Sequence, residues 1–413
     1  MEFAAHTDSL MKPFLNSFGK CTKTKLNTND NKNYKNILIS LYQDIYDANE
    51  TIFAEGCFKH QVINLNEKNE KNEKRVPELT NSRYFPSHIQ NYIKENETKQ
   101  LVFSCGNVGG REITIIFTLF AHQEAFANKY IEHAKMMYIW LTICANYASA
   151  HCTNTLTIFV YPTPFAKILP GSPTTTMGPE HVNTAFTFAC APQGQLLIYR
   201  EEEWFKVFIH ETFHSYGLDF AQSDTSDVKK SLFSLFPIKS DFDVYEAYTE
   251  TWARLINCAF CSFNALPPKN RGDKQSFITN FNFCIELERM FAMYQCVKVL
   301  GFMGLQYQDL HSNKRTALYK ENTHVFAYYV ITAVFLNDYQ GFMLWCRKNN
   351  TALLKFDLTP ANFKAFTDYI AQVYNCISLQ SGIDAMGQLH RHVNKGKNKT
   401  LIETTRMSII HTI

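Results

Sequence analysis

The sequence predicts an α+β fold: a small mixed sheet, a helix that follows its strands, a helical second subdomain and a helical N-terminal region. Three observations carry this. Between residues 99 and 199 the chain holds short apolar or alternating runs, at 100–105, 112–120, 155–161 (TLTIFVY), 182–188 and 195–199, which read as strands. Beyond residue 200 the apolar residues recur at helical spacing instead. Two Asn/Lys/Glu-rich stretches, 22–36 (TKTKLNTNDNKNYKN) and 65–75 (LNEKNEKNEKR), read as solvated loops and set the N-terminal region apart. The expected organisation is therefore 1–98 as a mostly helical region, 99–262 as a core, 263–377 as a helical subdomain, and 378–413 as a loosely packed tail.

The elements follow in order. A long amphipathic helix over 124–148 separates the second and third strands, and a Pro/Gly/Thr-rich loop fills 162–180. A helix over 201–216 comes next. Glu201, Glu202 and Glu203 fall in its first turn, where the helix dipole favours anions, and Gly217 follows as a natural stop. Further helices are expected over 243–261, 275–300 and 322–337.

Composition excludes several classes. Lys+Arg 41 against Asp+Glu 38 leaves a formal charge of +3 over 413 residues, without the basic balance that nucleic-acid binding requires. No apolar run is long enough to span a bilayer, so no membrane partner is expected. Residues 1–15 show no basic segment followed by a long apolar run. That predicts a protein that is not secreted, cytoplasmic, with reduced cysteines. Cys258-Ala-Phe-Cys261 continues a helical pattern and reads as core packing. The sequence has no G-x-S-x-G and no Walker loop, and Cys105-Gly-Asn-Val-Gly-Gly110 lacks the Lys that phosphate binding needs.

The chemistry sits in Val207-Phe-Ile-His210-Glu211-Thr-Phe-His214-Ser-Tyr-Gly217. His210 and His214, four residues apart on a helix, project from one face and can reach one ion. Glu211 is placed to take a proton from a zinc-activated water. A catalytic zinc takes three protein ligands and keeps one position open. The third comes from Asp243-Val-Tyr-Glu246-Ala-Tyr-Thr-Glu250-Thr-Trp252, where Glu246 and Glu250 share a helix face. One carboxylate binds the metal and the other orients a ligand; Glu246 is the first choice for the former, and Glu250 remains open. A donor must also meet the developing oxyanion. His324 and Tyr328 are the candidates, with Tyr216, Tyr245 and Tyr248 competing.

This arrangement resembles the gluzincin class of zinc metallopeptidases, in which an H-E-x-x-H helix precedes a helix carrying an E-x-x-x-D/E pair. Tyr245-Glu-Ala-Tyr-Thr-Glu250 is similar to the N-E-A-x-S-D segment of thermolysin-like enzymes. The resemblance covers roughly residues 150–260 and departs from the pattern in having Glu rather than Asp at position 250. It implies a zincin-like core with one Zn²⁺ on His210, His214 and Glu246, Glu250 behind them, and hydrolysis of a peptide or protein substrate. It also implies that the strand before the motif helix is a sheet edge that pairs with extended peptide, with Asn183 and Ala185 as the contact residues. The sheet and motif helix would form one wall of a cleft, the Glu246 helix and later helices the other. The stretch from Gly178 to His210 resembles uncharacterised metallopeptidase-like proteins of large DNA viruses. The rival expectation is a non-catalytic virion protein that keeps such a fold; a viral chain would reside in host cytoplasm or virion.

Overall fold

The computed structural model describes residues 5–19, 21, 25–55, 60–65, 74–78, 82–312, 315–396 and 398–411. It is a mixed α+β structure with a six-stranded mixed sheet. The chain divides into two compact units, each discontinuous in sequence. One comprises Gln43–Lys167 and Asn183–Leu218; the other comprises Met1–Tyr42, Ile168–Val182 and Asp219–Ile413.

The first of these units holds the sheet. Its strands are β1 (His60–Asn64), β2 (Glu97–Val108), β3 (Arg111–Phe120), β4 (Thr155–Val160), β5 (Ala185–Thr187) and β6 (Gln193–Ile198), in the order β1-β2-β3-β4-β6-β5. β3, β4 and β6 run parallel, and the remaining pairs are antiparallel. β2 and β3 form a hairpin closed by Gly109 and Gly110, both at positive φ (57° and 85°). A two-residue turn whose twist suits the strands needs that conformation at both positions. The glycine-rich segment at 105–110 is thus hairpin geometry.

Side-chain alternation along β3 feeds two cores. Ile116 and Phe120 join Phe85, Ile89, Ile93, Phe159 and Tyr199 beneath the helix Ser87–Asn96. Phe117 points the other way and meets Tyr130, His133 and Trp204. The helix Ala127–Ala145 and the motif helix Trp204–Ser215 cover that face.

The other unit is helical and centred on a long helix, Lys274–Phe302, started by Asp273, whose carboxylate accepts the Gln275 and Ser276 N–H groups. Its buried residues face all round, as expected for a helix enclosed by neighbours. The glutamate helix Val244–Asn264 and the helix Ile377–Lys395 pack on it.

Several expectations need correction. Residues 28–36 begin the helix Thr28–Glu55 and are not a loop; most of 65–75 lies outside the described residues. The core expected over 99–262 is divided, because the glutamate helix packs on the long helix and belongs to the helical unit. The C-terminal segment is not a loose tail. Leu401 and Thr404–Ile410 are buried, and Glu288 Oε1 accepts the Ile409 and Ile410 N–H groups at 2.9 and 2.8 Å. A buried carboxylate requires such donors, and the extended tail supplies them. No described helix is long and apolar enough to cross a membrane.

Candidate metal centre

The motif helix begins at Trp204, three residues later than the sequence suggests. Glu203 sits at its N-cap position with φ +58°. Its carboxylate turns inward to Lys167 Nζ at 2.5 Å, with both side chains fully buried. Glu202 accepts the Lys167 N–H at 2.7 Å. Glu202 and Glu203 therefore anchor the start of the helix to Lys167, while Glu201 pairs with Lys129 at 2.9 Å, where the sequence suggests a first-turn dipole cap for all three.

Every residue of the motif helix is buried. Trp140 Nε1–H donates to Thr212 Oγ1 at 2.6 Å, and the Trp140 ring stacks on Phe213. These contacts fix the helix's rotation about its axis. His210 and His214 then face one another, Nε2 to Nε2, at 3.2 Å. Two imidazole nitrogens at about 2.0–2.1 Å from one tetrahedral zinc ion would stand about 3.3 Å apart. The spacing observed is thus that of two ligands sharing one ion. Glu211, between them in sequence, is buried with 8% of its surface exposed.

In the helical unit, Asp243 precedes the glutamate helix and Glu246 lies in its first turn. Tyr328 donates its hydroxyl to Glu246 Oε2 at 3.0 Å. His324 Nε2 is 3.7 Å from Glu246 Oε1, while its Nδ1 is 3.6 Å from Asp243 Oδ2. Tyr328 and His324, chosen from sequence as oxyanion donors, thus meet at the carboxylate chosen as ligand. The competing tyrosines are used elsewhere: Tyr248 donates to the Leu354 carbonyl and Tyr245 to Asp243, and Tyr216 lies fully buried under the Arg111 guanidinium.

Glu250 is fully buried one turn beyond Glu246, and its Oε1 accepts Arg254 Nε–H at 2.9 Å. Arg254 also lies 3.8 Å from Glu288, the carboxylate that holds the tail. Glu250 is thus tied into an internal charge network.

Two participants escaped the sequence reading. Asp243 is one; its proximity to His324 follows only from the fold. Glu321 is the other. Its carboxylate accepts the Phe326 N–H at 2.6 Å and the Tyr319 hydroxyl at 3.1 Å, and burial pushes its pKa up to about 8. Through that bond it holds the first residue of the segment Phe326–Ile331, a π-helical turn that carries Tyr328. Such turns interrupt helices and recur at functional sites. No residue pattern announces one.

His210, His214 and Glu246 form a buried group that could hold a metal ion, with one ligand atom of each within 4.8 Å of the others. Two neutral imidazoles and a carboxylate suit a borderline ion such as zinc. Comparison with protein-family models, curated proteins and solved structures finds no match.

The run expected over 182–188 yields the short β5, a sheet edge among the described residues; β6 lies between it and the motif helix in sequence, and the motif helix packs against both. Tyr199 N–H donates to the Thr184 carbonyl at 3.0 Å. Antiparallel alternation then turns the peptide groups of Ala185 away from β6, toward the open edge. The Asn183 carbonyl is bound by Arg200 at 3.1 Å, and Phe188, just beyond the strand, is 60% exposed.

One cysteine expectation is overturned. Cys152 and Cys190 are joined by a disulfide. They lie 38 residues apart but precede β4 and β6, two parallel strands paired in register, which brings them together. Cys258 and Cys261 are free and buried, and burial pushes both thiols well above their ordinary value, as core packing requires.

Proposed function

We propose that the protein is a zinc-dependent metallopeptidase of gluzincin type, with His210, His214 and Glu246 as zinc ligands. The observation that carries the reading is the buried group of two imidazoles and a carboxylate, with Glu211 adjacent in sequence to the first imidazole. Zinc at these ligands supplies a Lewis acid that lowers the pKa of a water and polarises a carbonyl.

The chain's own residues do the rest. Extended peptide adds to the β5 edge through the backbone of Ala185, with Asn183 at the strand's entrance, and main-chain hydrogen bonds set its register. Glu211 takes the proton of the attacking water and delivers it to the departing amine. Tyr328 and His324 donate to the oxygen that gains charge at the scissile carbonyl. Glu250, held by Arg254, supports the ligand shell from behind. The clustering of both proposed oxyanion donors on Glu246 supports this assignment.

Elemental analysis after dialysis and activity on a peptide library test the proposal. One zinc per chain is expected, with turnover that chelation abolishes and added zinc restores. Glu211→Gln should keep the metal and lose activity by about 10²–10⁴-fold, the usual worth of a general base. Absence of stoichiometric metal sinks the proposal. Full zinc with no turnover of any peptide favours the non-catalytic virion reading.

A further inference from the structure

The disulfide lies against the end of the motif helix, and three contacts connect the two. Cys190 donates its backbone N–H to the His214 carbonyl at 3.0 Å. Thr153, next to Cys152, donates its hydroxyl to the Ser215 carbonyl at 3.3 Å. Gly217, at φ +62°, turns the chain directly over the pair: a Cβ there would stand 2.9 Å from Cys152 Sγ and 3.6 Å from Cys190 Sγ. A helix leaves its last carbonyls without internal partners. Here the carbonyls of a proposed ligand and its neighbour accept from the residues that carry or flank the disulfide, the His214 carbonyl also accepting the Gly217 N–H at 3.1 Å.

The local backbone also needs support. Thr153 and Cys190 are both non-glycine residues at positive φ, 54° and 49°. Such conformations are disfavoured and persist where surroundings over-determine them. The covalent bond is one such constraint. Arg111 is another, with Nε–H and Nη2–H donated to the carbonyls of Cys152 and Ser149 at 3.2 and 2.8 Å.

We infer that Cys152 and Cys190 are positioning residues: their disulfide braces the last turn of the motif helix and holds His214 in its ligand geometry, so that zinc affinity depends on the redox state of this pair. The inference rests on the proposed metal site. Two-electron reduction by an external phosphine breaks the S–S bond and forms two S–H groups. The phosphine becomes its oxide, taking oxygen from water. The Cys190 and Thr153 contacts then depend on noncovalent packing alone.

The test uses the full chain in oxidised and reduced forms and in the variant Cys152→Ala/Cys190→Ala. Peptide mapping without reductant should first find the Cys152–Cys190 link; its absence from protein folded under oxidising conditions overturns the inference. Amide hydrogen exchange over residues 209–217, measured without metal, should be about 10-fold faster in the reduced chain and in the variant. Unchanged exchange overturns the inference whatever the metal does. Zinc affinity, read by competition with a chromophoric chelator after the phosphine is removed, should weaken about 10-fold or more on reduction, as for loss of other groups that orient a ligand. His151 lies beside the pair and could join two free thiols as ligands, so the double variant, which has neither sulfur, is the decisive comparison. It should show the weakened affinity and no response to reductant. Equal affinity in all forms overturns the brace while leaving the peptidase proposal standing. A chain that binds no zinc in any form removes the peptidase proposal and, with it, the redox control of affinity.

Discussion

At the residue scale, the motif's worth rests on small distances. The 3.2 Å between the His210 and His214 nitrogens matches two ligands on one ion, and Tyr328 is already bonded to Glu246. Two substitutions separate the roles. Glu246→Ala should abolish stoichiometric zinc, read by elemental analysis, because a two-histidine remainder lacks the third ligand. Tyr328→Phe should keep zinc and lower kcat by about 10²–10³-fold, the usual worth of one oxyanion donor; a loss confined to KM would contradict that role. The residue types were legible here. H-E-x-x-H is local, and helix geometry alone dictates that its histidines share a face. Asp243 and Glu321 were not legible, since their significance depends on Tyr319, His324 and Phe326 arriving beside them.

At the element scale, the sequence located the strands between residues 97 and 198 and the motif and glutamate helices but misread their ends, and it missed β1 and the helix Ile377–Lys395. Glu203 ends up in a left-handed conformation because its carboxylate is drawn inward to Lys167. A tertiary ion pair thus overrode the local dipole preference. Gly217 behaved as expected for a helix stop, and its positive φ has a measurable consequence. Gly217→Ala should destabilise the protein by at least about 1–2 kcal/mol, the penalty of a left-handed residue, with added overlap on Cys152; denaturant titration checks this.

Glu321 gives a pH prediction at the same scale. Its folded pKa, about 8, stands above an ordinary carboxylate value of 4.5. Below 4.5 the group is neutral in both states and contributes no loss. As pH rises from 4.5 to 8 the unfolded chain releases the proton and the folded chain does not, so stability falls. Glu321→Gln keeps an acceptor for Phe326 and Tyr319 and removes the titration. The melting temperature of the variant relative to the native protein should rise across that window; a constant difference would refute the assignment.

At the scale of the whole molecule, the tail is the largest departure from expectation. Polar residues and a Lys-rich stretch near 394–399 suggested a loose end, yet Thr404–Ile410 is buried beside the long helix. Tyr329 donates to the Thr405 carbonyl at 2.5 Å, next in sequence to Tyr328. Glu288 binds the tail's amides and lies 3.8 Å from Arg254, which holds Glu250. Removing residues 404–413 strips Glu288 of those amides. An uncompensated buried charge costs about 3–5 kcal/mol, so the truncated chain should unfold at markedly lower denaturant or fail to fold. Native-like stability would show the tail dispensable.

The sequence by itself determined the α+β class, the helix bearing His210, Glu211 and His214, and the pair Glu246 and Glu250, because these depend on patterns of period two and 3.6 within one stretch of chain. Only the tertiary structure decided the rest. It set Tyr328 and His324 beside Glu246, placed β5 at the edge of the sheet among the described residues, joined Cys152 to Cys190 and buried the tail. Each of these depends on groups far apart in sequence, for which hydrogen-bond satisfaction and packing, rather than local propensity, set the outcome.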